Sequence, residues 1–290
     1  MFHNLLIATD LEDGLPRLLT CLPSLGAAGV RKVTVVHGVP LWESEGVCRE
    51  DTKRLAQVEH SLRLPEDTAG LEVQRVIRSG RPEMVIQEVV QEVKPDLLVV
   101  GAAQRSLLAE KLGGSTTLAL APRVKLPILV LRPQLLFTFT QDELALRCQH
   151  LFRSLLIPYD GRPAGQALLT RFLSQAQQSP EPSLEICTLV WVMDEPSRRE
   201  VAAVSQELRA ANEAALDRIR QAWPLPAVTL HTLVREGSPV TQVLHTACQV
   251  SASAIVISAK NLGSIWELSF PTQSGELLRR SLHPILVFPG

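Results

Sequence analysis

The chain is 290 residues long, 46% hydrophobic, and carries 29 Lys and Arg against 30 Asp and Glu, a formal net charge of −1. That length suits two domains of ordinary size, each with a core of its own. The balanced charge and the lack of a basic helix stripe exclude a broad electrostatic surface for nucleic acid or membrane, and no run reaches the roughly 18 apolar residues of a membrane-spanning helix.

The first predicted element is a strand, Asn4–Thr9, apolar at nearly every position, as in a parallel sheet covered on both faces. Met1-Phe2-His3 leads straight into it without a charged leader or cleavage site, so a cytoplasmic protein is expected. Leu15–Gly26 has helical spacing, with Leu15, Leu18, Leu19, Leu22 and Leu25 on one face. Lys32–Val39 is a second buried strand, Glu50–Leu64 a polar helix, and Leu71–Arg78 a third strand. Pro82–Glu92 is a helix, with Pro82 in the first turn, where its missing N–H costs nothing. Asp96–Val100 is the fourth strand. A Gly/Ser-rich loop, a helix near Thr117–Arg123 and a last strand, Ile128–Leu131, complete the set. Strands alternating with helices imply right-handed βαβ crossovers and a parallel sheet.

The same order then starts again. Leu5-Leu6-Ile7-Ala8-Thr9-Asp10 returns as Leu155-Leu156-Ile157-Pro158-Tyr159-Asp160, an offset of 150 (Leu5 to Leu155). Ser79-Gly80-Arg81-Pro82 returns as Glu236-Gly237-Ser238-Pro239, and Leu126–Leu131 as His283–Phe288, both at an offset of 157 (Gly80 to Gly237). The second set of strands is Ser154–Pro158, Leu184–Val192, Val228–Val234, Ala254–Ser258 and Ile285–Phe288. The seven extra residues are expected between its second and third strands, largely in a helix over Pro196–Ala222. The expected fold is α/β: two tandem domains, 1–133 and 151–290, each a five-stranded parallel sheet with helices on both faces. Residues 134–150 are a linker with one helical turn around Gln141–Cys148. The five cysteines are widely spaced and form no metal-ligand pattern, so they are expected to be reduced and mostly buried.

In an open parallel sheet ligands bind beyond the carboxyl ends of the strands. Three places qualify in the first repeat: Asp10 after the first strand, His37-Gly38-Val39 ending the second, and the loop after the fourth. In that loop Gly101 admits close backbone approach, since it has no Cβ. Gly113-Gly114-Ser115-Thr116 precedes a helix, and free amides beside two hydroxyls make an anion site suited to phosphate. Asp10 can accept hydrogen bonds from a ribose or a base amine. Each feature also has a plain structural reading. Asp10 and Asp160 cap the following helices, Gly113-Gly114 forms a turn, and His37 and His245 are core histidines. The P-loop, GxGxxG, GxSxG and HExxH motifs are absent.

At this spacing the chain resembles the universal stress proteins, as a tandem member covered by the resemblance nearly everywhere outside the linker. Members that bind ATP carry Gly-x2-Gly-x9-Gly-Ser/Thr after the fourth strand and an Asp ending the first. Gly101, Gly114, Ser115 and Asp10 match, while Gln104 stands where the second glycine belongs, as in the family's non-binding branch. The resemblance implies that Asp10 faces the adenosine, Gly38 lies beside the base, and Gly101, Gly114, Ser115 and Thr116 hold ribose and phosphates. The ligand would be ATP or another adenine nucleotide, with Mg2+ accompanying it, and activity at most a slow ATP hydrolysis. Ser115 and Thr116 are also candidate phosphoacceptors. The second repeat keeps Asp160-Gly161 but has Ser258 for Gly101, Asn261 for Gln104, Pro271 for Gly114 and Thr272 for Ser115. Pro271 removes an amide donor, and Trp266 and Phe270 fill the segment, so one nucleotide per chain is expected, in the first repeat. The family further implies pairing of last strands, here an intramolecular pseudo-dimer, with a homo-oligomer and an unknown protein partner both open. Two other functions are carried alongside: a nucleotide-independent protein-interaction module, and an enzyme related to the adenine-nucleotide α-hydrolases.

Overall fold

Strand β1, Asn4–Ala8, lies at the centre of its sheet, buried from Leu5 onward. The structure is a computed structural model, and it describes residues 1–11, 14–44, 47–101, 120, 123–179, 183–194, 202–262 and 272–290. Two compact units run over Phe2–Gln149 and His150–Phe288.

In the first unit β1 is flanked by β2 (Lys32–Val39) and β6 (Leu97–Gly101), with β5 (Glu72–Ser79) beyond β2 and β7 (Ile128–Leu131) beyond β6. All of these pairings are parallel. The valine- and leucine-rich strands β2, β6 and β7 are buried almost throughout, as strands covered on both faces must be. A short antiparallel pair, β3 (Trp42–Ser44) and β4 (Val47–Arg49), follows β2 and was not expected from the sequence. Asp96 fastens the start of β1: its Oδ2 accepts from the His3 amide at 2.7 Å and its Oδ1 from the Asn4 amide at 3.1 Å. Burial raises the pKa of this carboxyl, although the two amides oppose the shift.

The single amphipathic helix expected over Leu15–Gly26 is two pieces, a 3-10 helix Leu15–Cys21 and helix α1, Leu22–Ala27. Pro16 and Pro23 each remove a backbone donor, so one unbroken α ladder cannot run through both. The expected apolar face survives, with Leu15, Leu18, Leu19, Leu22 and Leu25 all buried. Helix α2 is Thr52–Ser61, shorter than expected at both ends. Asp51 caps it by accepting from the Arg54 amide at 2.9 Å. Helix α3 is Pro82–Val93 and buries Val85, Ile86, Val89 and Val90.

The segment between the repeats holds two helices, α4 (Pro133–Leu136) and α5 (Gln141–Gln149), more structure than the one turn expected. Leu144 and Cys148, one turn apart in α5, are buried where α5 packs on α1 and the 3-10 helix. Arg17 Nη1 donates to the Leu136 carbonyl at 2.8 Å, and its guanidinium lies 5.5 Å from the centre of the Phe137 ring. Gln141 Nε2 donates to the Thr20 carbonyl at 3.2 Å.

The second unit repeats the strand order. β8 (Ser154–Pro158) sits between β9 (Ile186–Met193) and β11 (Ala254–Ser258), with β10 (Thr229–Glu236) and β12 (Ile285–Phe288) outermost, all parallel. Its helices are α6 (Pro163–Gln177), α7 (Ala202–Gln221), α8 (Pro239–Gln249) and α9 (Gln273–Arg280). The register corrects one expectation. Asn4 pairs with Lys32 as Ser154 pairs with Ile186, so the offset is already 154 at the second strand (Lys32 to Ile186). It becomes 157 at the third (Glu72 to Thr229). Most of the excess therefore precedes the second strand, where an unbroken α6 replaces the proline-split turn of the first repeat.

His283 lies in a turn before β12, where its amide donates to Ser281 Oγ and the same hydroxyl donates to the His283 carbonyl, both at 3.0 Å. Burial lowers its imidazole pKa. The unfolded chain then takes up the proton more readily than the folded one. Its contribution to stability is present above the ordinary histidine value of about 6.5 and is lost as pH falls from there through the depressed value. Denaturant melts at neutral and mildly acidic pH should show this loss in the wild type, and a smaller one in His283→Gln.

Candidate functional site

In the first sheet the chain runs from β1 outward through β2 to β5, then returns to the other side of β1 for β6 and β7. The loops leaving β1 and β6 thus head in opposite directions. Such a switch point opens a crevice at the carboxyl ends of the two strands, the place where doubly wound sheets bind ligands. Ala8 is in register with both Val36 and Val100. Asp10 after β1, Gly38 near the end of β2 and Gly101 closing β6 therefore share one edge. Gly114, Ser115, Thr116 and Gln104 lie outside the described residues, so the geometry at this edge rests on the other three positions.

The turn after β1 is tightly held. The Thr9 amide donates to the Val36 carbonyl at 3.1 Å, and Thr9 Oγ1 accepts from the Leu11 amide at 2.9 Å. The Thr9 carbonyl is 2.7 Å from His37 Nδ1; a carbonyl only accepts, so Nδ1 carries the proton. Leu11 takes φ +70°, the left-handed region that costs a non-glycine residue roughly 1 kcal/mol or more. This turn places Asp10 at the exposed edge. Asp10 does not cap the helix that follows, whose N-cap is Gly14 and which has no side-chain cap. His37 is buried, as a core histidine is, and its partner is the backbone of this turn.

Gly38 has a structural duty of its own. A Cβ there would stand 2.8 Å from Pro82 Cα, because α3 begins against β2 at this point. Gly38→Val is expected to lower stability by about 1–3 kcal/mol through overpacking, measurable by denaturant melts; an unchanged midpoint would contradict the close approach.

Arg132 was not singled out from the sequence. It follows β7, whose last residue, Leu131, is in register with Gly101, and it is half-buried, with its guanidinium pKa lowered by burial. At the offset of 157 its counterpart in the second repeat is Pro289. Arg78, on β5, is engaged by Glu92 through two bonds of 2.7 and 2.6 Å.

The second repeat builds the corresponding edge differently. The Tyr159 amide donates to the Val190 carbonyl at 2.9 Å, as Thr9 does to Val36. Tyr159 thus replaces Thr9, Trp191 replaces His37 and Val192 replaces Gly38. Tyr159 and Trp191 meet edge to face, with ring centres 5.6 Å apart, and Trp191 lies so close over Gly161 that a Cβ there would be 2.5 Å from the indole. The Asp160 carboxylate turns back on its own chain. Its Oδ1 accepts from the Arg162 amide at 3.0 Å and lies 2.7 Å from where a Cβ on Gly165 would be. An aromatic pair therefore occupies the place where the first repeat has Thr9, His37 and Gly38, while Asp10 and Asp160 are both exposed. Thr272 caps α9 by accepting from the Gly275 amide at 3.1 Å. Pro271, Trp266 and Phe270 lie outside the described residues. Reading the second strands at their true offset of 154 would have brought out Trp191 from sequence.

Among the described residues no group of three or more His, Cys, Asp or Glu is placed to hold a metal ion, and no helix is long and apolar enough to cross a membrane. The model of the universal stress protein family matches residues 1–132 and 151–289. A universal stress protein from Archaeoglobus fulgidus DSM 4304 is similar in structure, with a TM-score of 0.62, 17% identity, and coverage of 99% of this chain and 96% of that one. A putative universal stress protein from Pseudomonas aeruginosa UCBPP-PA14 has a TM-score of 0.57 at 15% identity, covering 99% and 93%. A functionally unknown protein from Pseudomonas aeruginosa PAO1 has a TM-score of 0.59 at 14% identity, covering 99% and 92%. Identities this low speak for the fold alone. No curated protein matches the chain.

Proposed function

The chain belongs to the universal stress protein family, and from that premise we propose that it is a stress-response regulator whose first repeat binds one adenine nucleotide. The observation that carries this reading is the contrast between the two sheet edges. Thr9, His37 and Gly38 crown the first beside Asp10, whereas Tyr159 and Trp191 crown the second beside Asp160. Asp10 accepts from the ribose or the base amine, and Gly38 lies beside the base. Gly101 and Gly114 let backbone amides approach the phosphates, with the Ser115 and Thr116 hydroxyls beside them. Arg132 supplies the positive charge next to Gly101. Mg2+ would come with the phosphates of the nucleotide rather than from a protein cage.

Gln104 favours a second reading, a protein-interaction module that needs no nucleotide, since binding members have glycine there. Absorbance and mass analysis of the supernatant from purified, denatured protein distinguishes the two. An adenine spectrum with the mass of ATP, ADP or AMP supports binding. No nucleotide in the wild type, and none bound by Gln104→Gly either, supports the interaction module.

A further inference from the structure

Two buried thiols meet where the inter-repeat segment packs on the first repeat. Cys21 closes the 3-10 helix and is 2% exposed; Cys148 sits in the last turn of α5 and is 3% exposed. Cys21 stands at the junction of the 3-10 helix and α1, the two elements on which α5 packs, so the buried face of α5 that carries Cys148 lies against it. Thr20 Oγ1 lies 3.6 Å from Cys21 Sγ on the same surface. Both cysteines are reduced. Burial, followed by the neighbouring Cys21, pushes the Cys148 thiol far above its ordinary range, so Cys148 is protonated and unreactive while α5 is docked.

The other described thiols are placed differently. Cys187 is fully buried inside β9, and Cys248 is exposed on α8. What guards the pair is a helix of nine residues that buries only Leu144 and Cys148. Its remaining ties are light. Thr140 Oγ1 accepts from the Glu143 amide at 3.2 Å, Arg147 meets Glu143 at 2.9 Å and donates to the Leu135 carbonyl at 3.3 Å, and Gln141 donates to Thr20 at 3.2 Å. Such an element opens locally far more often than the domain unfolds.

We propose that Cys21 and Cys148 form a reversible disulfide that staples α5 to the first repeat, made by exchange with a low-molecular-weight disulfide when α5 lifts. On opening, one cysteine gives up its proton, attacks a sulfur of the small disulfide and expels one small thiolate. The second cysteine, deprotonated in turn, attacks the protein sulfur of that mixed disulfide and expels the other. Two protein thiols are oxidised to one S–S bond, one small disulfide is reduced to two thiols, and the cysteine protons end on the leaving thiolates. The bond closes a loop around nearly the whole first repeat, so it constrains the unfolded chain strongly.

The test uses the full chain in graded mixtures of oxidised and reduced glutathione, quenched by alkylation and mapped by mass spectrometry without reduction. The expected product is the Cys21 peptide joined to the Cys148 peptide, two hydrogens lighter than the pair, reversible by thiol, with a rise of several degrees in melting temperature. Thr140→Ala loosens α5 without touching either sulfur and should speed the reaction several-fold. In Cys148→Ser, Cys21 should stop at the glutathione adduct. Cys21 and Cys148 both alkylated as free thiols throughout the series, while Cys248 takes up glutathione, would overturn the proposal. So would a rate indifferent to Thr140→Ala.

Discussion

Gly114→Val is expected to weaken ATP binding by the full chain at least about 100-fold, roughly 2.7 kcal/mol. A phosphate held by backbone amides must come within hydrogen-bond distance of the chain, and a β-branched side chain at the nest stands in that path. Gly101→Val should act in the same direction from the end of β6, beside Asp10 and in register with Leu131. Gln104→Gly should leave affinity unchanged or raise it. Isothermal titration with ATP, ADP and AMP checks all three, with thermal melts to show that each variant is folded. Unchanged affinity in folded Gly114→Val would remove the loop from the site.

Phe172→Ala should lower the stability of the second unit by about 3–5 kcal/mol, the cost of deleting a large buried aromatic ring. Phe172 is fully buried in α6 and meets Phe288 of β12 edge to face, with ring centres 6.2 Å apart and planes at 68°. Truncation loses the transfer energy of the ring and leaves a cavity against β12. Urea melts should show the lower midpoint, while nucleotide affinity at the first repeat stays as in the wild type. A loss below about 1 kcal/mol would mean that the helix collapses into the space. A parallel loss of nucleotide affinity would place the binding site in the second repeat.

The strands were legible because a strand covered on both faces must be apolar nearly throughout, and a run such as Lys32-Val33-Thr34-Val35-Val36 has little other use. The repeat of Gly80 and Pro82 at Gly237 and Pro239 marked both third crossovers for a comparable reason. Gly80 takes φ +143° and Gly237 φ +125°, and a proline opens each following helix. Helix continuity was less legible. The apolar face of Leu15–Leu25 was right, but periodicity does not register the donors that Pro16 and Pro23 remove. Of the inter-repeat helices, α5 was expected only as one turn around Gln141–Cys148 and α4 was not expected, because Leu144 and Cys148 form a stripe of only two residues and their partners lie more than a hundred residues away in sequence.

At the candidate site, chemistry read from residue types singled out Asp10 and Gly38 but not what surrounds them. The proximity of Gly38 to Pro82 is a crossing of backbones and leaves no mark in the sequence beyond the glycine itself. Trp191 was hidden by a register error, since the offset changes before the second strand and a constant offset pairs His37 with the wrong residue. Arg132 lies just past the last strand of the first domain and belongs to no motif, and only the pairing of Leu131 with Gly101 shows that it borders the crevice.

The claim that one repeat of this universal stress protein kept its ligand and the other filled the space with its own aromatic rings meets its most direct test in the binding stoichiometry. Isothermal titration of the full wild-type chain with ATP should reach saturation at one nucleotide per chain. Asp10→Ala should weaken that single site, and Asp160→Ala should leave it as it was. Two equivalent sites per chain, or one site that responds to Asp160 and not to Asp10, would contradict the account.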